Sequence, residues 1–487
     1  MNLINIGHEF DYEMEKLIRL FLPFEKITVS HSENCGDRYA VCKLYQEKNE
    51  TIALAKLKLE NKEAQFSTVI DKTISNTQKE SQHELARQLF YCFEKLTGYR
   101  PDWGILTGVR PAKLFLRYCN EYGIDYAVDF FKNKFLVSES KLELCKKAVK
   151  GEESIISLSG DNSFSLYLSI PFCPTRCSYC SFVSHSIEKA QDIIPQYVEL
   201  LCRELKITAE IAKKLGLRLE TVYMGGGTPT TLTAEQLNMV LSTVRQNFDM
   251  SSVREFTVEA GRPDTIDVEK LGAIKQNGVT RISINPQTMN DKILKIIGRA
   301  HTVKDIYDSF ALARECGFDN INMDLIAGLP TETLDEFKNS VNLVTELEPE
   351  CITVHTMSIK RGSLLHEKLG DYALTDEDVV SQMVDYSINK LAELKYFPYY
   401  LYRQKHMVGD FENIGYSKDG KECLYNIMIM EETNSIISMG CGGVSKIVNL
   451  PNDRIERVFN VKEAKDYVER IDEMLHRKDI ILDWLNL

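Results

Sequence analysis

No apolar run in this 487-residue chain approaches the roughly 20 residues that a helix needs to cross a bilayer. The N-terminal stretch MNLINIGHEFDYEMEK carries acidic residues early, where a secretory signal would have a basic segment and then an apolar one. Neither a membrane span nor a signal peptide is expected. An excess of basic residues is also missing. Lys and Arg total 59 against 71 Asp and Glu, a net charge of −12, which disfavours broad nucleic-acid binding because cations must neutralise the phosphates. There is no low-complexity tract. With 44% apolar and 27% charged residues, the composition is that of an ordinary soluble globular protein, long enough for two or three domains. The 13 cysteines are odd in number and scattered except for one trio, which suits reduced thiols in the cytoplasm better than a disulfide framework.

What is present is an alternation. Strand-like runs SLYLSI (165–170), TVYMG (221–225), EFTVEA (255–260), RISIN (281–285), INMDLIAG (321–328) and CITVHT (351–356) are separated by amphipathic helical stretches at 194–216, 233–248, 267–278, 303–317 and 334–348. Gly216, Gly278 and Gly317 stand at helix stops. Six βα units in series imply a parallel sheet clothed in helices; a full eight-fold barrel needs two more. The fold class is therefore α/β, a partial, open (β/α)6 barrel over 161–360 with ligands at the C-terminal strand ends. Residues 1–160 mix strand-like runs with helical stretches and read as an α+β accessory domain, bounded by the polar LSGDNS (158–163). Residues 361–487 read as a C-terminal α+β extension: a helix, an irregular Tyr-rich stretch, a hairpin over 423–440, a Gly-rich turn and a terminal helix.

Cys173, Cys177 and Cys180 lie in LYLSIPFCPTRCSYCSF (166–182), directly after the first strand-like run, with the spacing C-x3-C-x2-C. Three thiolates on one tight loop can hold three irons of a [4Fe–4S] cluster and leave the fourth open to a small molecule. The alternative is three packed thiols, since free cysteine is commonly buried. The second run ends in MGGGTPT (224–230), where glycines let backbone approach a ligand or simply make a turn. Later strand ends carry Glu259, Gln287, Asp324, His355 and Ser358, read either as loop polarity or together as a lined pocket. Arg299 and His301 could reach carboxylates from the rim, and for His301 a helix-entry contact is the competing reading.

The combination C-x3-C-x2-C and GGGTP resembles the radical S-adenosylmethionine (SAM) superfamily. YLSIPFCPTRCSYC, GGGTPT, RISINPQ, MDLIAGLP and ENIGY…MGCGG resemble its oxygen-independent coproporphyrinogen III oxidase class. ILTGVRPAKLF and YYLYRQKHMVGDFENIGY (399–416) are most similar to the HemZ-type branch. The resemblance implies that Cys173, Cys177 and Cys180 bind the cluster and that SAM chelates the open iron through its amino and carboxylate groups. Tyr167, Gly226 and Glu259 match positions that hold this SAM. A second SAM in the oxidase matches Tyr179, Gly227, Thr228, Gln287, Arg299, Asp324 and Ser358, with the late loop near Val444; Gln287, Arg299 and Asp324 are the catalytic candidates.

The implied activity is oxidative decarboxylation of two propionates of coproporphyrinogen III to vinyls, giving protoporphyrinogen IX in anaerobic haem synthesis. A flavodoxin- or ferredoxin-type donor would supply electrons. Four propionates call for cations, and Arg299, Lys360, Arg361, Arg403 and Lys405 are the candidates, the last four equally readable as solvated charge. Tyr399, Tyr400, Tyr402 and Phe411 would stack on a tetrapyrrole or pack as a core. In the oxidases a fourth cysteine stands two residues after the third ligand; here that residue is Phe182, as in the haem-chaperone branch. Haem delivery and haem-modifying methyl transfer are the competing activities.

Overall fold

The computed structural model describes the chain apart from residues 24, 33–35, 71–76, 161, 183, 361, 368–371, 405–410, 450–453 and 486–487. It divides into two compact units, Met1–Val149 and Lys150–Leu487.

In the first unit, β1 (Asn2–Ile6), β2 (Thr28–Ser30), β3 (Tyr39–Glu47), β4 (Glu50–Leu59) and β5 (Lys62–Val69) form a sheet in the order β2-β1-β3-β4-β5. β1 runs parallel to both of its neighbours and the rest is antiparallel. Helix Thr77–Thr97 buries Leu85, Leu89, Phe90 and Phe93. The turn-rich segment after Gly98 ends where Pro111 opens helix Pro111–Tyr122, a position at which proline loses no hydrogen bond. This is the expected α+β arrangement.

The second unit is built on β6 (Ser163–Ile170), with the short pair β7 (Phe172–Cys173) and β8 (His185–Ser186) beside the cysteine loop, then β9 (Arg218–Gly226), β10 (Glu255–Glu259), β11 (Arg281–Ser283), β12 (Ile321–Ala327) and β13 (Cys351–Thr356). β6-β9-β10-β11-β12-β13 are adjacent and parallel, matching the six sequence-derived runs. Three of their helices start at capping boxes, Thr233 with Gln236, Thr302 with Asp305 and Thr333 with Glu336, in which two orphan backbone donors are satisfied at once. Residues 361–487 add β14 (Phe397–Arg403), β15 (Glu412–Ser417), β16 (Ser435–Met439), β17 (Val444–Asn449) and β18 (Arg454–Phe459) to the same sheet. β16 joins β6 in parallel, and β15 joins β13 antiparallel. Among the described residues the sheet has β14 and β18 at its edges.

Three details depart from the sequence reading. The supposed hairpin over 423–440 is helix Leu424–Glu431 followed by β16. The Glu255 carboxylate accepts the backbone N–H groups of Leu424 and Tyr425 at 3.1 and 3.2 Å, a cap supplied by another element and so invisible in local sequence. The Tyr-rich stretch is strand β14, and the terminal helix is three short ones, Ala464–Glu469, Ile471–Arg477 and Asp479–Leu485.

The C-terminal segment is fastened by Glu204, which is fully buried on helix Ile194–Lys214. Its carboxylate accepts from the Gly440 backbone N–H (2.8 Å), Asn460 (2.8 Å) and the Tyr467 hydroxyl (2.6 Å), and pairs with Lys478 at 3.1 Å. Lys478 is itself 1% exposed and also donates to the Ser438 carbonyl. Removing one member of such a pair strands the other charge in the interior. Glu204→Gln is expected to lower unfolding stability by about 3 kcal/mol, read by urea denaturation; an unchanged midpoint would show that the pair contributes nothing.

Candidate active site

Strand alternation builds the site. Thr257 and Glu259 of β10, Arg281 and Ser283 of β11, Asn322 and Asp324 of β12, and Thr353 and His355 of β13 all face one cavity of about 660 Å³. The intervening Val258, Ile282, Met323, Leu325 and Val354 are at most 2% exposed on the opposite side of the sheet. Such a volume lies within the ~300–1,000 Å³ typical of ligand sites, and the site opens at the C-terminal ends of parallel strands, where α/β sheets bind ligands.

The cysteine loop forms one wall. Gly227 and Thr228 donate backbone N–H groups to the Ile170 and Phe172 carbonyls, both at 2.7 Å, and the Thr228 hydroxyl points at the Cys173 sulfur from 3.6 Å. Thr175 donates to the Gly298 carbonyl, while Arg262 donates to the Thr175 hydroxyl at 2.8 Å. A side chain could not replace hydrogen in this turn: a Cβ on Gly227 would lie 2.5 Å from the Phe172 carbonyl oxygen, and Gly226 has φ +110°, accessible at little cost only to glycine. Burial pushes the Cys173 thiol up and the Cys180 thiol up to about 11, so loading of metal, which binds thiolates, must release protons. Among the described residues no three His, Cys, Asp or Glu side chains converge on a point that would hold a single metal ion. A cubane has a different demand, one thiolate for each of three irons.

Across the cavity, Arg299 is buried. It donates to the Asn285 carbonyl at 2.6 Å and to the Tyr179 hydroxyl at 3.3 Å, leaving Nε without a partner among the described residues. Gln287 adopts φ +70°, clamped by its N–H to the Asp324 carbonyl (2.8 Å) and by the Ile326 N–H to its own carbonyl (2.9 Å). Among the described residues its buried side-chain oxygen has no partner, nor has that of Asn285. Backbone held in a strained region is characteristic of functional sites. The two carboxyls diverge. Burial raises Glu259 to about 7, although the Tyr223 hydroxyl donates to it at 2.5 Å. Asp324 is held below the usual carboxylate range: burial opposes ionisation, but His355 at 3.8 Å and the Asn322 amide at 2.8 Å outweigh it. Two acids with separated proton affinities offer a proton holder and a fixed negative charge.

The cavity collects all thirteen residues expected at the cofactor site: Tyr167, Cys173, Cys177, Tyr179, Cys180, Gly226, Gly227, Thr228, Glu259, Gln287, Arg299, Asp324 and Ser358. His355, Lys360, Tyr400, Tyr402 and Val444 line it too. His301, Arg403, Tyr399 and Phe411 do not. His301 faces Asp264 at 3.7 Å, and Tyr399 and Arg403 alternate with Tyr400 and Tyr402 along β14, which turns them the other way. Arg361 and Lys405 lie outside the described residues. Sequence reasoning missed Thr257, Arg281, Ser283, Asn285, Asn322 and Thr353; their signal was polar residues at every second position inside otherwise apolar strands.

A model of the radical SAM superfamily matches residues 167–344. The oxygen-independent coproporphyrinogen-III oxidase-like protein HemZ of Bacillus subtilis (strain 168) is 38% identical over 410 residues, 82% of either chain. The heme chaperone HemW of the same organism is 31% identical over 312 residues, 63% of this chain and 76% of its own. A solved structure of coproporphyrinogen III oxidase (HemN) from Escherichia coli, a radical SAM enzyme, has the same fold, with a TM-score of 0.52, 22% identity and coverage of 66% of this chain and 72% of that one. The chain belongs to the radical SAM superfamily and, within it, to the family of oxygen-independent coproporphyrinogen-III oxidase-like proteins. Members of this superfamily use a [4Fe–4S] cluster and SAM. The residues present fit that pair: three thiols on one strapped loop, a glycine turn with no room for side chains, and orphaned polar atoms facing the cavity. No helix among the described residues is long and apolar enough to cross a membrane.

The raised Glu259 has a consequence for the cofactor-free protein. The folded state holds this proton more tightly than the unfolded state, so the contribution to stability is full below the ordinary carboxyl range and is lost as pH rises through about 7. Wild type is expected to lose stability between pH 5 and 8, by on the order of 2 kcal/mol from this group, and Glu259→Gln to show a flatter profile in urea unfolding across the same range.

Proposed function

We propose that this chain is a radical SAM decarboxylating dehydrogenase acting on the propionates of coproporphyrinogen III. The observation that carries the reading is the convergence, in one cavity at the C-terminal strand ends, of the cysteine loop, the Gly226–Thr228 turn and the Gln287, Arg299 and Asp324 side chains. The relationship to the HemZ protein supports the same choice.

Cys173, Cys177 and Cys180 hold the cluster, and Tyr167, Gly226 and Glu259 hold the SAM beside it. When bound, the reduced cluster and SAM supply hydrogen-atom abstraction from a propionate C–H, after which loss of CO2 and one electron leaves a vinyl group. Arg299 is fixed by Asn285 and Tyr179, so its guanidinium needs little reorganisation to receive a carboxylate. Together with Tyr179, Gly227, Thr228, Gln287, Asp324 and Ser358 it forms the contact set for a second SAM. Glu259 exchanges a proton near neutral pH, whereas Asp324 stays ionised. Lys360 at the rim faces carboxylates entering from solvent. Tyr400 and Tyr402 line the cavity and supply aromatic contacts for a flat tetrapyrrole. A flavodoxin- or ferredoxin-type protein supplies the electron.

One observation favours a second reading, haem binding and delivery. Phe182 lines the cavity yet is 61% exposed, with the Lys360 ammonium 6.0 Å from its ring centre. An apolar face beside a cation fits a haem edge as readily as a transient substrate.

The deciding measurement is an anaerobic incubation of reconstituted protein with SAM, reductant and coproporphyrinogen III, read by mass. Loss of CO2 and vinyl formation are expected. Stable haem binding with no tetrapyrrole product would select the second reading, and addition of methyl groups would indicate methyl transfer. Cys177→Ala is expected to lose the cluster's visible absorbance and SAM cleavage together. Arg299→Ala should keep the absorbance and lose turnover roughly a hundredfold, about 2.7 kcal/mol of transition-state binding; unaltered kinetics would remove Arg299 from the site.

A further inference from the structure

The strands β17 and β18 carry an arrangement that folding alone does not favour. Their register pairs Lys446 directly with Arg457, and both side chains line the cavity. Directly opposed residues of an antiparallel pair project to the same face with Cβ atoms about 5 Å apart, and like charges there repel. The alternate residues Ser445 and Val458 are buried on the other face. Glu456 pairs with Ile447 in the same alternation, which takes the neighbouring acid away from the cavity face.

Lys446 is anchored. Glu432 meets its ammonium at 2.7 Å, and the Ile429 carbonyl accepts from it at 3.4 Å. Glu432 is itself held at a helix end with φ +57°. Arg457 is exposed and has no ion pair among the described residues, so its positive charge on this face is available to a ligand. Val444 lies on the same face and also lines the cavity. A fork of donors, a fixed ammonium and an apolar side chain beside them match a carboxylate on a short alkyl arm.

We infer that Lys446 and Arg457 form a subsite for a substrate carboxylate at the hairpin wall of the cavity, so that they select for the acid form of a polycarboxylate tetrapyrrole. The inference rests on the tetrapyrrole reading above and adds the residues that recognise a non-reacting side chain. One carboxylate held on this hairpin fixes the ring, and a different propionate is the one presented to the cysteine wall. Removing such a contact weakens both binding and the chemical step, because remote binding energy orients the reacting group.

The test uses coproporphyrin III, the stable fluorescent counterpart with the same four carboxylates, and its tetramethyl ester, each titrated into the full-length, cluster-reconstituted protein with SAM. Wild type is expected to bind the acid more tightly than the ester, with the preference shrinking as salt rises. Arg457→Met is expected to weaken binding of the acid about tenfold and to leave the ester unchanged, while Arg457→Lys keeps much of the preference. Because Arg457 is exposed, this variant does not disturb the core, and an unchanged affinity for the ester reports an intact cavity. If Arg457→Met binds acid and ester as wild type does, or if wild type shows no preference between them, the subsite is overturned while the tetrapyrrole reading stands. If wild type binds neither porphyrin, the tetrapyrrole reading falls and takes the subsite with it.

Discussion

A single buried carboxylate ties the second unit together. Glu204 sits on the first long helix after the cysteine loop, yet its partners, Gly440, Asn460, Tyr467 and Lys478, all come from the last fifty residues. Through Gly440 it places the turn that follows β16. There the Tyr197 hydroxyl accepts from the Cys441 N–H at 2.9 Å and donates to the Ser169 carbonyl at 2.7 Å, and the Ser169 hydroxyl donates to the Cys441 carbonyl. Ser169 stands four residues before Cys173. The loop bearing the thiols is thus referenced to a chain segment more than 250 residues away by buried neutral hydrogen bonds, and that segment is in turn held by charge-assisted bonds to Glu204.

This linkage explains why the added strands matter to the site. β16 extends the sheet beyond β6, and with it come β17, β18 and the hairpin wall carrying Val444, Lys446 and Arg457. On the other side, β15 and β14 bring Tyr400 and Tyr402. A six-stranded partial barrel by itself would leave its polar interior open on two flanks. The antiparallel strands close those flanks with Tyr400, Tyr402, Lys446 and Arg457.

Much of this was legible in the sequence, for identifiable reasons. The six parallel strands were read within a few residues because both of their faces are covered, by helices or by cavity-lining side chains, and long apolar runs result. Caps such as Thr233 and Thr302 mark helix starts through strictly local chemistry. The stretch around Leu424–Glu431 was misread because its cap, Glu255, arrives from a distant strand. β5 (KEAQFSTV) is hard to read from sequence because one of its faces is solvated and its apolar content is low. At the site, residues at strand ends and in the cysteine and glycine motifs stood out from their neighbours. Thr257, Ser283 and Thr353 did not, since their alternation with apolar residues becomes a site signal only once the sheet shows which face it occupies. Arg281 was equally hidden: it begins a strand, and only the fold shows it buried, donating to Asn320 and to the Lys421 carbonyl.

The backbone of Gln287 carries a different kind of information. Its left-handed conformation costs about 1 kcal/mol or more for any residue with a Cβ, and a glycine in its place would remove that cost along with the side-chain amide. Stability and site chemistry therefore pull in opposite directions at this position. A library selected for heat resistance alone would drift toward glycine there, and one selected for turnover would not. Such a split between two selections marks a residue retained for what it does rather than for how it folds.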